Sequence, residues 1–247
     1  MSYLRYFFSR YLPNQRGLSL NTIACYKQTW RLFLEFLMSS GFAQPGKSVF
    51  LTDINVSHIL SFLEYLEESD RGRGNKISTR NNRLAAIKAF FRAVQLIEPE
   101  HKKLCEHALA VPSKKNGKPV VDYLDKGELD AVFSAIDTTS SQGFRDMTII
   151  RFLYNTGARI SEVANIRRSD LDLNHEKQVR IMGKGGKERI CPLWDSTVAF
   201  ASIYLKSERK RPKKGYEDYL FINQRQEPFT RFGLWRMVIK YVNKAKR

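Results

Sequence analysis

Cysteine and histidine are scarce in this sequence of 247 residues, which has 3 Cys and 4 His. Cys25, Cys105 and Cys191 are far apart and odd in number, so they predict neither a disulfide framework nor a set of metal ligands. The histidines are equally scattered, and we expect each to be a surface or packing residue. The sequence therefore predicts no metal cofactor, and its isolated thiols favour a reducing, cytoplasmic location.

A long apolar run is also missing, which predicts that no helix spans a bilayer. The opening segment MSYLRYFFSRYL has Arg5 and Arg10 inside its apolar stretch, which is not the pattern of a signal peptide. Apolar residues nevertheless make up 43% of the chain. That content is enough for one or two ordinary hydrophobic cores, and it excludes a wholly disordered chain.

Acidic residues are few compared with basic ones, since 25 Asp and Glu face 42 Lys and Arg, a formal net charge of +17. Such an excess indicates a polyanionic partner, most often a nucleic acid. Charge by itself does not separate DNA from RNA or an enzyme from a passive binder, and an acidic membrane surface is a further alternative.

The spacing of apolar residues predicts helices over the first hundred or so residues. One helix covers 20–37 and begins at the cap-forming Ser19, and another covers 78–94 with Ser78 as its cap. A third apolar stripe runs from Ile59 to Leu66. Together these segments predict a small helical bundle.

The segment PSKKNGKP at 112–119 has the composition of a linker, with two prolines, one glycine and no apolar anchor. After it, QVRIM (178–182) and ERICPL (188–193) flank GKGGK and predict a β-hairpin, and YLFIN (219–223) predicts a short strand. Further helices are expected to open at Asp125, near Ser161 and at Thr230, and Asp195 is expected to cap another. The fold class predicted is mainly α with a small antiparallel β-sheet.

The stretch TGARISEV, Thr156 to Val163, carries a candidate phosphate site. Gly157 permits a tight entry into a helix, and Arg159 then lies at the first helical turn, where a guanidinium can grip a phosphate with two hydrogen bonds. Glu162 lies three residues further on the same face and can orient that arginine. The alternative is an ordinary solvated Arg–Glu pair.

The stretch MGKGGKERICPL carries a second candidate group. A lysine at the tip of a Gly-rich hairpin can reach into a groove and donate a proton to a leaving oxygen, and Lys184 and Lys187 both qualify. The alternative is a basic hairpin that contacts phosphate, or nothing at all.

In this order and spacing, TGARISEV, RRSDLDL, QVRIM and GKGGKERICPL resemble the first half of the catalytic domain of tyrosine site-specific recombinases, the phage integrase family. Upstream, LSLNTIACYKQTWRLFLEFL and STRNNRLAAIKAFFRAV resemble two DNA-facing helices of the family's core-binding domain. The resemblance covers essentially the whole chain. It implies a helical, SAM-like core-binding domain at 1–111, the linker at 112–119 and a mixed α/β catalytic domain at 120–247.

The resemblance implies catalytic roles for three residues. Arg159 matches the arginine that binds the scissile phosphate, Glu162 the acidic residue that supports it, and Lys184 the lysine that acts as general acid toward the leaving 5′-oxygen. Lys187 and Arg189 match positions that serve the hairpin and its DNA contacts. The implied activity is site-specific DNA recombination or integration through a phosphotyrosine intermediate, with no metal or nucleotide cofactor.

The family's second box, a His-x-x-Arg followed by a His or Trp and then the tyrosine nucleophile, has no match. No histidine of the chain has arginine three residues later. Tyr241 lies before the position of the nucleophile, and we expect it to pack or to contact phosphate. We therefore expect a catalytic domain that stops before its end, in a chain that binds DNA and does not cleave it unaided.

The resemblance also implies that the two domains close around double-stranded DNA, with other recombinase protomers on the same DNA. The truncated chain is expected to be a monomer in solution without a membrane partner. The expected DNA contacts are Thr22, Lys27, Arg80, Arg83, Lys88, Lys187 and Arg189. The basic run KSERKRPKK (206–214) is either a set of phosphate contacts or a solvated loop.

Two further hypotheses compete with a recombinase. The first is a non-catalytic DNA-binding remnant that occupies recombination sites. The second is a generic basic RNA-binding protein, which the joint presence of Arg159, Glu162 and Lys184 disfavours. No motif identifies the target site or distinguishes integration from resolution or cassette exchange.

Overall fold

A computed structural model describes residues 3–44, 49–70, 72–117 and 123–246. The chain divides into two compact units, Met1–Val120 and Val121–Arg247. Helices predominate in the described residues, and the named strands there form one three-stranded antiparallel sheet. The predicted fold class, mainly α with a small antiparallel sheet, is confirmed.

Helices make up the regular structure of the first unit. Ser19 caps its second helix as predicted, because its hydroxyl oxygen accepts the backbone N–H of Thr22. The predicted cap at Ser78 is wrong, since that helix begins one residue earlier and has Lys76 at its N-cap. The helices are α1 (Tyr3–Tyr6) with a π-helical continuation (Phe7–Gln15), α2 (Leu20–Ser39), α3 (Val56–Glu67), α4 (Ile77–Ile97) and α5 (Lys102–Ala110).

Aromatic side chains fill the core of this unit. Trp30 of α2 packs on Phe90 of α4 with ring centroids 4.3 Å apart, and Phe33 packs on Phe62 of α3 at 5.0 Å. All four side chains are buried. Buried aromatic pairs of this kind add to the free energy gained from the removal of apolar area from water, so they fix how α2, α3 and α4 pack.

The predicted linker at 112–119 begins in a segment, 111–117, that has neither helix nor strand, and its residues 118 and 119 lie outside the described residues. The first part of this segment is bonded to helices α3 and α4. The side chain of Asn81 donates to the carbonyl of Lys114 at 2.8 Å and accepts the backbone N–H of the same residue at 3.1 Å. The Lys114 ammonium also pairs with Glu67 at 2.8 Å.

The second unit combines helices with the small sheet. Asp125 and Thr230 cap helices as predicted, since each side chain accepts a backbone N–H three residues later. The predicted cap at Asp195 is wrong, because Asp195 is the first residue of its helix and Trp194 occupies the N-cap. The elements are α6 (Lys126–Ser134), α7 (Ser141–Thr156), α8 (Ile160–Asn165), β1 (Leu171–Asp172), β2 (Gln178–Met182), β3 (Glu188–Pro192), α9 (Asp195–Ile203) and α10 (Arg231–Ala245).

The predicted hairpin is confirmed as β2 and β3. The two strands pair antiparallel from Gln178 opposite Pro192 to Met182 opposite Glu188. Along β2 the inward side chains are Val179 and Ile181, which are fully buried, and this alternation is what orients the hairpin on the core. The sheet is completed by the short strand β1, which the sequence did not predict.

The predicted strand at 219–223 is wrong. Tyr219 and Ile222 form only isolated bridges, to Arg167 and Pro228. The apolar residues between them are buried in the core of the second unit. This connecting segment thus supplies side chains to the core without joining the sheet. A short apolar run does not distinguish these two cases by its period.

A search of the described ranges finds no helix that is both long enough and apolar enough to cross a membrane.

Candidate functional site

The turn between α7 and α8 brings Arg159 to the surface. Helix α7 ends at Gly157, which adopts the left-handed conformation (φ 58°) that glycine tolerates best, and its N–H donates to the carbonyl of Leu153 at 3.0 Å. Arg159 then stands at the N-cap of α8 with extended backbone. About two-thirds of its side-chain surface, 66%, is exposed, so the guanidinium is available to a ligand.

Glu162 holds Arg159 in place from the first turn of α8. One carboxylate oxygen accepts the backbone N–H of Arg159 at 3.0 Å, as in a capping box, and the other accepts its Nη1 at 2.7 Å. The Glu162 side chain is only 6% exposed. The predicted pairing of these two residues is therefore present, and its carboxylate is buried rather than solvated.

A second arginine reaches the same carboxylate from the hairpin. Arg189 Nη2 of β3 donates to Glu162 Oε2 at 2.7 Å. This contact could not be predicted from the sequence, because the two residues are 27 positions apart and no local spacing rule joins a helix start to a strand. The guanidinium groups of Arg159 and Arg189 thus share one buried anion.

The hydrogen bonds to Glu162 favour its charged form. The pKa of Glu162 is lowered to about 2, first by the hydrogen bond from Arg189 and then by those from Arg159, against the opposing effect of burial. The same hydrogen bond raises the pKa of Arg189. Glu162 is therefore a permanent anion at neutral pH, suited to orienting two cations and unsuited to proton transfer.

Gly183 is the first residue of the hairpin loop after β2 and lies next to Arg189 and Glu162. A Cβ atom built on Gly183 would lie 3.2 Å from the carbonyl oxygen of Lys187, which is tighter than ordinary contact, and at ordinary contact distances from Arg189 Nη1 (3.4 Å) and Glu162 Oε1 (3.6 Å). Its N–H donates to the carbonyl of Lys187 at 2.7 Å, which closes the loop. Lys184, the next residue, is exposed on this loop.

The remaining predicted DNA contacts of α2 and α4 differ in exposure. Lys27 is exposed, with its Nζ 5.9 Å from the centroid of the Phe8 ring, whereas Thr22 is half-buried at the start of α2. Arg83 and Lys88 are half-buried, and burial lowers the pKa of both side chains. Lys187, on the hairpin, is exposed.

Arg80 does not have the placement expected of a DNA contact. Its side chain is only 6% exposed, with Nε 3.4 Å from Glu67. Its Nη1 donates to the carbonyl of Pro112 at 3.1 Å. A guanidinium engaged in this way binds the segment after α5 to α4, which explains why a basic residue on a helix predicted to face DNA is buried.

Tyr241 is also buried, at 4% exposure, which argues for the packing role and against the phosphate contact that the sequence allowed. Its hydroxyl donates to Asp146 Oδ2 at 3.0 Å, and the other oxygen of Asp146 accepts Arg145 Nη2 at 2.6 Å. Burial and the neighbouring carboxylate raise the pKa of Tyr241 to about 12. With its hydroxyl bonded to Asp146 inside the core, this phenol is not placed to act as a nucleophile.

The part of the chain that is described has no group of three or more His, Cys, Asp and Glu side chains placed to hold a metal ion.

Two family profiles match this chain in order. The profile named Phage integrase family matches residues 122–247, and the one named Phage integrase, N-terminal SAM-like domain, matches residues 7–95. The chain belongs to the phage integrase family. The predicted family and the predicted SAM-like N-terminal fold are both confirmed, and the chain is a tyrosine recombinase by family.

Individual relatives of this phage integrase agree. It is 33% identical to the integrase/recombinase y4rC of Sinorhizobium fredii over 96% of this chain and 69% of that protein. It is 33% identical to y4rD of the same organism over 98% of this chain and 84% of that protein. The tyrosine recombinase XerD of Listeria monocytogenes is 28% identical, over 94% of this chain and 74% of that protein.

Solved structures support the integrase fold. The XerH site-specific recombinase bound to difH substrate, in a pre-cleavage complex, has a TM-score of 0.71 at 21% identity and covers 100% of this chain and 69% of that one. A lambda integrase dimer bound to a COC′ core site has a TM-score of 0.70 at 15% identity, with 100% of this chain and 78% of that one covered.

Proposed function

We propose that this phage integrase binds double-stranded DNA and presents Arg159 to the phosphate at which recombination occurs. The observation that carries the proposal is the Arg159–Glu162–Arg189 arrangement, in which a buried carboxylate holds two arginines at 2.7 Å each. An exposed guanidinium held by a buried anion is preorganised to stabilise the charge that develops on a phosphate.

In this proposal Glu162 is a positioning residue and Lys184 is the general acid toward the leaving 5′-oxygen. The exposed position of Lys184 on the loop that joins β2 to the Arg189-bearing strand β3 supports that role. Lys27, Lys187, Arg83 and Lys88 contribute phosphate contacts. Thr22 is retained as a contact at the start of α2. Arg80 is left out, because its guanidinium is bonded to Glu67 and Pro112.

Strand cleavage requires groups that these 247 residues do not supply. The sequence has no His-x-x-Arg, and Tyr241, the tyrosine nearest the expected position, is buried against Asp146. We therefore propose that the 247-residue chain binds DNA without forming a phosphotyrosine bond by itself. This property also describes the second candidate, a DNA-binding remnant that occupies recombination sites.

Partners are proposed on the same basis. The XerH relative is a complex with difH substrate, and lambda integrase forms a dimer on a core site. By analogy we propose that this chain binds duplex DNA next to other recombinase protomers and is a monomer when free. The cytoplasmic location predicted from its isolated cysteines stays a prediction.

The proposal can be tested by selection from a pool of randomised duplexes. We expect repeated selection with the 247-residue chain to enrich one motif, which the chain then binds more tightly than a scrambled duplex of equal length. A nicked duplex with the selected motif should give no covalent adduct on a denaturing gel. Equal binding of motif and scrambled DNA would contradict sequence-specific recognition. A covalent adduct would contradict the assignment of this chain as unable to cleave.

A further inference from the structure

Asn155 forms a side-chain bridge between the end of α7 and the end of β3. Its Nδ2 donates to the carbonyl of Pro192 at 3.2 Å, and its Oδ1 accepts the backbone N–H of Trp194 at 2.9 Å. The partners lie 37 and 39 residues further along the chain. A single amide group, which carries both a donor and an acceptor, thus joins two segments that are remote in sequence.

The other bonds around this bridge show what it holds. On the opposite side, the N–H of Leu193 donates to the carbonyl of Lys177 at 2.6 Å, so the chain leaving β3 is fixed to the sheet. The Cys191 thiol lies 4.0 Å from the carbonyl of Thr156. Both partners of Asn155 are backbone groups of this segment. Because backbone groups cannot change rotamer to follow a shorter side chain, the loss of the amide removes the bridge.

The bridge lies close in sequence to an arginine of the site on each of the two segments. Asn155 precedes Arg159 by four residues on one segment, and Pro192 follows Arg189 by three on the other. Both guanidinium groups must reach Glu162 at 2.7 Å, and hydrogen bonds weaken steeply when distance and angle depart from their optimum. A displacement of the end of α7 relative to β3 therefore weakens at least one of these two bonds.

We propose that Asn155 is a positioning residue that holds the Arg159-bearing turn against β3, so that Arg159 and Arg189 share the carboxylate of Glu162. The catalytic relevance of this role rests on the proposed function of Arg159. The geometric role does not, because the bridge and the shared carboxylate can be measured without DNA. A failure of one proposal is therefore distinguishable from a failure of the other.

The test is a ¹³C NMR titration of the Glu162 side-chain carboxyl in the 247-residue chain between pH 6 and pH 3.5. In the wild-type chain the pKa of about 2 keeps this carboxyl ionised and its signal constant. In Asn155→Ala we expect β3 to shift and the hydrogen bond from Arg189 to weaken. The pKa of Glu162 then rises toward its ordinary value of 4.5, and the signal moves within the window.

The matched control is Asn165→Ala on α8, where the amide donates to the carbonyl of Ser161 at 2.7 Å and joins no other element. Its Glu162 signal should stay as constant as in the wild-type chain. A folded Asn155→Ala chain with an unmoved Glu162 signal would overturn the proposal. If Asn155→Ala does not fold, Asn155→Ser, which is too short to bridge both partners, decides it by the same criterion.

Discussion

Glu162 illustrates how one residue acquires a function from its surroundings. On sequence grounds it belongs to an Arg–Glu pair of a kind that is usually solvated and weak. In the fold it is 6% exposed and accepts hydrogen bonds from two arginines. A carboxylate this buried is tolerated only because its charge is compensated on both oxygens, and removal of either arginine leaves an incompletely compensated buried anion.

The low pKa of Glu162 predicts a specific pH dependence of stability. Its folded-state pKa of about 2 lies below the ordinary 4.5, so its contribution is fully present above pH 4.5 and is lost as the pH falls toward 2. We expect the difference in free energy of unfolding between wild type and Glu162→Gln to shrink over that range, by up to about 3 kcal/mol. Urea unfolding at several pH values measures it. A difference that stays constant from pH 6 to pH 3 would contradict the assignment.

Tyr241 predicts a stability effect of a different origin. Its hydroxyl donates to Asp146, which is 1% exposed and also binds Arg145. Tyr241→Phe leaves one carboxylate oxygen without that donor and should lower the free energy of unfolding by about 1–3 kcal/mol. Tyr154→Phe, at a 53% exposed position, is the control and should change it by less than about 0.5 kcal/mol. Equal effects of both substitutions, measured by urea unfolding, would refute the buried network.

Arg80 shows why residue type alone does not predict a DNA contact. Arg80 carries the same charge as Lys27 and lies on a helix predicted to face DNA, yet it is bonded to Glu67 and Pro112. The carbonyl of Pro112 is 32 residues away in the chain, so no helical spacing rule indicates it. Residue types predict which side chains are able to bind phosphate, whereas burial decides which of them are free to do so.

Among the elements, the hairpin of β2 and β3 depends on a close approach at Gly183. An added Cβ would lie 3.2 Å from the carbonyl oxygen of Lys187, which is closer than ordinary van der Waals contact. Gly183→Ala should therefore displace the loop and cost about 1–2 kcal/mol. We expect faster amide hydrogen exchange over residues 182–188.

Gly117→Ala is the matched control for this substitution, because a Cβ there has nothing within 4 Å. Its hairpin amides should exchange as in the wild-type chain. Identical exchange rates in the hairpin for the two variants would show that the loop does not close tightly around Gly183.

Element boundaries were predictable where the signal is local. Ser19, Asp125 and Thr230 cap helices through hydrogen bonds to residues three positions later, and the Gly-rich turn of the hairpin is equally local. The strand expected at 219–223 failed because strand formation requires a partner from elsewhere in the chain, and only two isolated bridges form. The bridge from Asn155 to β3 could not be predicted for the same reason.

For the whole molecule, the net charge overstates how much basic surface is free to bind a polyanion. Residues 206–247 have 13 Lys and Arg against 4 Asp and Glu, but part of this charge is used inside the protein. Arg209 donates to the carbonyls of Leu220, Glu217 and Tyr219, and Lys213 pairs with Glu227. Lys210, Arg211 and Lys214 remain exposed, so the basic run 206–214 is partly structural and partly available to phosphate.

DNA binding and the catalytic role of Arg159 are tested most directly by the affinity of the 247-residue chain for duplex DNA at several salt concentrations. The wild type is compared with Arg159→Ala. We predict that wild-type affinity falls by about 10³-fold or more between 50 and 200 mM salt, as expected for six or more phosphate contacts. Arg159→Ala should stay within about threefold of wild type at each concentration, because a group that acts mainly on the transition state adds little to ground-state binding. A salt-insensitive curve would contradict a DNA-binding role, and a loss of tenfold or more in Arg159→Ala would make Arg159 a phosphate anchor instead of a catalytic residue.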